Sequence, residues 1–192
     1  HLIFFRKFYK NPYLLCTSEM ASTNFPHWVW VGKQLRKGIF PAQENIYYKY
    51  PASISFLSTF YPLNLLASWV ASFFSLDTTF KIYTKFVLSH YLLGSVLAYS
   101  LFSRWCEPLV ALFGAITITY SAYLIKPQTP SSVYSTQWIV GTFLGGWLGG
   151  ICFGMSLLGG YYPSIIYLAP FIALVNPLEV FLGILLALPQ LL

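Results

Sequence analysis

Charge is what this sequence has least of. Charged residues make up only 8% of it, and acids number five in 192 residues. A soluble domain carries about 25% charged residues. So little charge cannot cover a water-facing surface on a chain that is 57% hydrophobic. Lipid must stand in for water over much of it, and the composition reads as an integral membrane protein. Cysteine is scarce as well. Cys16, Cys106 and Cys152 form neither a metal-ligand spacing nor an even disulfide framework. Cys106 and Cys152 read as small apolar residues within helices. The loop GxxxxGK[ST], HExxH and GxSxG are all missing, which argues against the usual soluble-enzyme chemistries. His1, His27 and His90 are too scattered to mark a metal site. No signal peptide is visible. A chain that opens on His1 and stops at Leu192 inside an apolar run is expected to be a fragment, lacking a first membrane helix and a C-terminal remainder.

What charge there is lies early and is mostly basic. The net charge is +6, and Arg6, Lys7, Lys10, Lys33, Arg36, Lys37 and Lys49 all precede residue 50. Contact with anionic headgroups, or positive-inside topology, accounts for such a cluster. Nucleic acid is not an expected partner, because these cations share the chain with six hydrophobic segments.

The expected fold is all-α: a multi-spanning helical membrane bundle preceded by a long first outer loop with amphipathic juxtamembrane helices. Residues 1–54 form the loop region, rich in aromatics, cations and proline. Within it, 24–37 reads as an interfacial helix. Trp28, Val31 and Leu35 recur at helical spacing, while Lys33, Arg36 and Lys37 take other faces. Gly38 fits its C-terminal stop, and Pro41 follows. Residues 55–192 form the membrane domain. Its first apolar stretch runs from about residue 55 to 76 and is broken by Pro62. It either spans or lies as two short interfacial helices. Others run from about 82 to 102, 108 to 125, 138 to 158 and 161 to 175, and a sixth begins near 178. Spanning takes about 20 apolar residues, so the second, third and fourth qualify most clearly. In the fourth, Gly141, Gly145 and Gly149, and again Gly146, Gly150 and Gly154, repeat every four residues. Such GxxxG ladders let helix backbones approach closely in lipid, and the Gly141–Gly154 ladder is an expected helix–helix contact.

Three acids have structural roles by position. Asp77 lies near Lys81 between apolar stretches, as a cap or loop charge. Glu107 precedes Pro108, and Glu179 follows Pro177, both at helix starts where the dipole favours negative charge. Glu19 and Glu44 lie in the long loop. A carboxylate beside a membrane surface is able to act as general base, or to hold a divalent metal against a phosphate. A solvated loop acid is the plainer account of Glu19.

The ordered stretches "SEM", "FPHWVWVGKQLRKGIFPAQ" and "FYPLNLLASW" resemble the first outer loop of YfhO-like bacterial membrane proteins, of the GT-C class of glycosyltransferases. Leu35, Gly38 and Pro41 match an amphipathic L-x-x-G-x-x-P element, and Phe60–Leu63 match an F-Y-P-L element. Further on, "LLGSVLAYSLFSRW", "AITITYSAYLIKPQTPSSVYSTQW" and "LLGGYYPSIIY" resemble later helices and loops. Departures are Glu19 for the usual Asp, Lys126 and Gln128 where His is common, Tyr161 near the position of a His, and Ala42-Gln43 in place of a Trp.

The resemblance implies sugar transfer from a polyprenyl-phosphate carrier at the outer face of the bacterial plasma membrane. Glu19 would be the base or the ligand of a divalent metal, the one cofactor this reading admits. Trp28 and Trp30 would anchor the loop helix at the headgroups, or one would stack on a sugar. Lys33, Arg36 or Lys37 would meet the lipid phosphate. Tyr47, Tyr48, Gln128, Gln137 and Tyr161 would line the sugar site. Counting Lys and Arg places the first 50 residues in the cytoplasm, whereas the resemblance places them outside, and the outer placement is the expectation. The competing expectations are a transporter or flippase, which calls for intramembrane charge or broken helices, and a noncatalytic assembly subunit.

Overall fold

In a computed structural model, residues 2–15, 23–41, 59–120, 130–159 and 162–191 are described, and among them all regular structure is helical. The order is α1 (Leu2–Lys10), a 3-10 turn (Pro12–Leu15), α2 (Phe25–Arg36), α3 (Pro62–Ala71) and α4 (Leu76–Phe102). Then come α5 (Pro108–Tyr120), α6 (Pro130–Thr142), α7 (Gly146–Leu158), α8 (Tyr162–Val175) and α9 (Pro177–Leu191). Proline opens α3, α5, α6 and α9. Its ring presets the helical φ, and its missing N–H is one that the first turn would leave unpaired anyway.

Helix α2 forms close to where the apolar spacing puts it. Pro26 sits in its first turn, and Gly38, at φ 73°, ends it in the left-handed conformation that glycine adopts without strain. Helix α4 begins at Leu76 rather than near Ile82. Ser75 caps it by accepting from the Thr78 N–H, and Asp77 pairs with Lys81 at 2.6 Å one turn on. Its 27 residues make it the one described helix long and apolar enough to cross a membrane. A helix of that length reaches about 40 Å. The stretch after Pro62 does not span: α3 ends at Ala71 and a turn leads directly into α4. Cys106 lies exposed in the turn after α4, not within a helix, whereas Cys152 is buried in α7 as expected.

The largest departure is in the glycine-rich fourth segment. The continuous span expected over 138–158 is instead a helical hairpin. Helix α6 stops at Thr142, the chain reverses through Gly145 and Gly146 at φ 82° and 63°, and α7 runs back. Two reciprocal bonds close the hairpin: Ser135 Oγ donates to the Ser156 carbonyl at 2.9 Å, and Ser156 Oγ donates to the Ser135 carbonyl at 2.8 Å. The ladder is therefore not one helix stripe. Gly145 and Gly146 make the turn. Gly150 and Gly154 let α9 lie close along α7, since a Cβ on Gly150 would fall 3.0 Å from Leu182 and one on Gly154 2.9 Å from Leu186. The pairing of 150 with 182 and 154 with 186 makes α7 and α9 parallel, with their N-termini side by side.

Helices α2 and α3 also run parallel, with His27 against Thr59 and Arg36 against Ser72. Helix α4 returns antiparallel to α3, since Thr79 bonds Ala71 and His90 meets Tyr61. One apolar cluster joins Phe5 and Trp28 to Tyr83, Tyr134, Phe153 and Ile165. The N-terminal helices are thus packed onto the helical body.

Candidate functional site

Two features adjoin the α2–α3–α4 junction. The first is a cleft of about 240 Å³ at the N-terminal end of α4, lined by Lys33, Ser72, Phe74, Leu76 and Thr79 among others. The hydroxyl hydrogens of Ser72 and Thr79 are spent on the Trp69 and Ala71 carbonyls. Lys33 is exposed, and no acid pairs with it among the described residues. Arg36 beside it is committed: its Nη1 donates to the Ser72 carbonyl at 3.1 Å, and its guanidinium lies 5.2 Å over the Phe73 ring. Lys37 caps the C-terminus of α2 and is exposed. One free ammonium over an apolar wall suits an anion that carries a hydrocarbon chain.

The second feature is a buried polar relay. His90 Nδ1 lies 2.9 Å from the Phe86 carbonyl, which only accepts, so Nδ1 carries the hydrogen. In neutral His90, Nε2 then accepts from the Tyr61 hydroxyl at 2.7 Å. Trp138 Nε1 donates to the same Tyr61 oxygen at 2.6 Å. Burial pushes the Tyr61 phenol above its ordinary range, so it keeps the proton it donates. The Tyr134 ring lies 4.4 Å from the His90 ring and stacks on Tyr61 at 5.3 Å. His90 also edges an open groove of about 360 Å³ between α3 and α4, whose walls include Leu63, Leu66 and Phe86. The separate pairing of His27 Nε2 with Thr59 Oγ1 at 2.9 Å is buried too.

The residues expected at a site are distributed as follows. Lys33, Arg36 and Lys37 share the C-terminal half of α2 near the cleft. Trp28 does not face headgroups or a sugar. It is 2% exposed, with its ring 5.0 Å from Tyr83, because α2 lays that side on α4 rather than on a bilayer. Gln137 is 1% exposed, with its amide oxygen packed on Gly94 of α4 and its Nε2 unpartnered, so it opens on no described cleft. Glu19, Tyr47, Tyr48, Gln128 and Tyr161 lie outside the described residues. So does any metal set built on Glu19, and no three His, Cys, Asp or Glu side chains gather among the described residues. Sequence reasoning missed the Trp138–Tyr61–His90 relay. Its signal was present only as three polar-tipped rings in apolar segments, where each is expected to find a partner when buried. Compared with known protein families, curated proteins and solved structures, the chain matches none.

Proposed function

We propose that this chain is the membrane-embedded part of a multi-spanning glycosyltransferase of GT-C type. It would move a sugar from a polyprenyl-phosphate carrier to an acceptor at the outer face of the bacterial plasma membrane. The observation that carries the reading is the Lys33 cleft, where an ammonium with no acid partner among the described residues sits over apolar side chains at a helix N-terminus. A lipid phosphate needs that pairing of charge with an apolar wall. In this reading Glu19 takes the proton of the acceptor hydroxyl. The acceptor oxygen bonds the anomeric carbon as its bond to the phosphate oxygen breaks. Lys33 meets the charge left on the carrier phosphate, and Lys37 adds to the local positive field.

The test is transfer of radiolabelled sugar from a polyprenyl-phosphate donor in membranes. Glu19→Gln should abolish transfer. Lys33→Gln should raise the donor KM by about tenfold, the size of one lost charge-assisted bond, and leave the melting temperature unchanged. Unaltered donor KM in Lys33→Gln would remove the cleft from the reaction. A second reading, a transporter, is favoured by the α6–α7 hairpin, a broken helix with a half-helix N-terminus at its tip. Label transported across sealed vesicles without transfer would decide for it.

A further inference from the structure

From Pro127 to Leu192 the chain carries a single charged residue, Glu179. The fold places it at the tip of the α6–α7 hairpin. It stands in the first turn of α9, and its Oε1 lies 3.6 Å from the position a Cβ would take on Gly145, at the turn into α7. Two parallel helix N-termini therefore converge on one carboxyl. It is 2% exposed, and its second oxygen, Oε2, has no hydrogen-bond partner. Thr142, at the end of α6, is 1% exposed, and its Oγ1 is unpartnered as well. The absent side chain of Gly149 brings these groups together. The position a Cβ would take there is 2.7 Å from Glu179 Oε2 and 2.7 Å from the Thr142 carbonyl oxygen.

We infer that the hairpin tip is a proton-binding site, in which the Glu179 carboxyl, protonated on Oε2, donates to the Thr142 carbonyl oxygen and clasps α6 and α7 to α9. Oε2 and the Thr142 carbonyl oxygen border the same gap at Gly149; a carboxylate and a carbonyl only accept, so a bond between them needs a hydrogen, and an unpaired buried polar group is costly. A proton is favoured over an alkali cation. The gap at Gly149, where a single Cβ would already fall 2.7 Å from two oxygens, is too small for an ion and its ligands. Of titratable groups, α6 offers Tyr134, α7 Cys152, and α8 Tyr162 and Tyr167, and none of these helices carries a charged residue. Arg104, from the turn after α4, donates to the Leu144 carbonyl at the tip and forms no ion pair with Glu179. Glu107 lies exposed beyond it.

Infrared difference spectra and melting curves of the full chain in nanodiscs test it, with Glu179→Gln as the mimic of the protonated acid. The wild type should show a protonated-carboxyl band at neutral pH that is missing in Glu179→Gln. A proton held by the folded chain and released by the unfolded one adds stability that is complete at low pH. That stability is lost as pH rises through the folded-state protonation point. Wild-type melting temperature should therefore fall relative to Glu179→Gln on going from acid to alkali, while Glu179→Ala melts lower than both at acid pH. A missing band at neutral pH would overturn the inference. So would a sodium-dependent rise in melting temperature, against choline, that vanishes in Glu179→Gln, since it would put an alkali cation in the proton's place.

Discussion

Tyr61 is the residue on which the buried relay turns. It donates to His90 and accepts from Trp138, so it joins α3, α4 and α6 through one oxygen. Tyr61→Phe keeps the ring stack on Tyr134 and leaves two buried polar atoms unpaired. The expected cost is about 2 kcal/mol, read as a lower melting temperature in detergent. Trp138→Phe on top of Tyr61→Phe should then cost less than Trp138→Phe alone, because the partner of its N–H is already gone. Equal costs in both backgrounds would show the bond to be idle. Legibility at this scale is uneven. The basic faces of α2 could be read from spacing, and Lys33 is exposed as its position predicts. The burial of Trp28 could not, because an apolar helix stripe looks the same whether lipid or another helix covers it. Tyr83 is what covers it here.

Among the elements, the hairpin α6–α7 makes the sharpest prediction. In a continuous helix, positions 135 and 156 would be about 30 Å apart. In the hairpin their side chains cross. With the three native cysteines changed to serine, Ser135→Cys combined with Ser156→Cys should close a disulfide in membranes under mild oxidation. Mass spectrometry of the digested chain would detect it. Two unlinked cysteines would restore the single span. Sequence periodicity marked 138–158 as apolar and glycine-rich but not as broken. Glycine serves both close packing and reversal, and only the positive φ at Gly145 and Gly146 separates the two uses. Helix starts were more legible: Pro108 and Pro177 open α5 and α9 as expected, and Glu179 lies in a first turn.

At the scale of the whole molecule, the surface is the telling feature. Leu109, Val110 and Phe113 on α5, Trp147 on α7, Leu174 on α8 and Phe181 on α9 are all exposed. Apolar surface spread over several helices is a liability in water and ordinary in lipid. The full-length chain is therefore expected to stay with the membrane fraction through alkaline carbonate and to leave it only with detergent. Release by carbonate would mean that these faces are covered by protein and that α4 is a buried core helix. Length divides the elements here. Helix α4 is able to cross alone, whereas α6 and α7, at 13 residues each, reach about 20 Å apiece. Neither is long enough to cross a bilayer alone, and the tip of their hairpin lies at the same end as the C-terminus of α4, where Arg104 bonds Leu144.

The sequence by itself determined the class: apolar runs bounded by proline and glycine become helices, and all regular structure among the described residues is helical. It also determined the starts of α2, α5, α8 and α9 and the face of α2 that carries the cations, because caps, proline and the helical repeat act over a few residues. The tertiary structure alone decided which glycines turn and which pack, that Trp28 faces Tyr83, that Tyr61 bridges His90 and Trp138, and that the lone acid of the C-terminal third lies between two helix N-termini. Each of those depends on groups far apart in the chain, and local spacing carries no record of which distant group arrives.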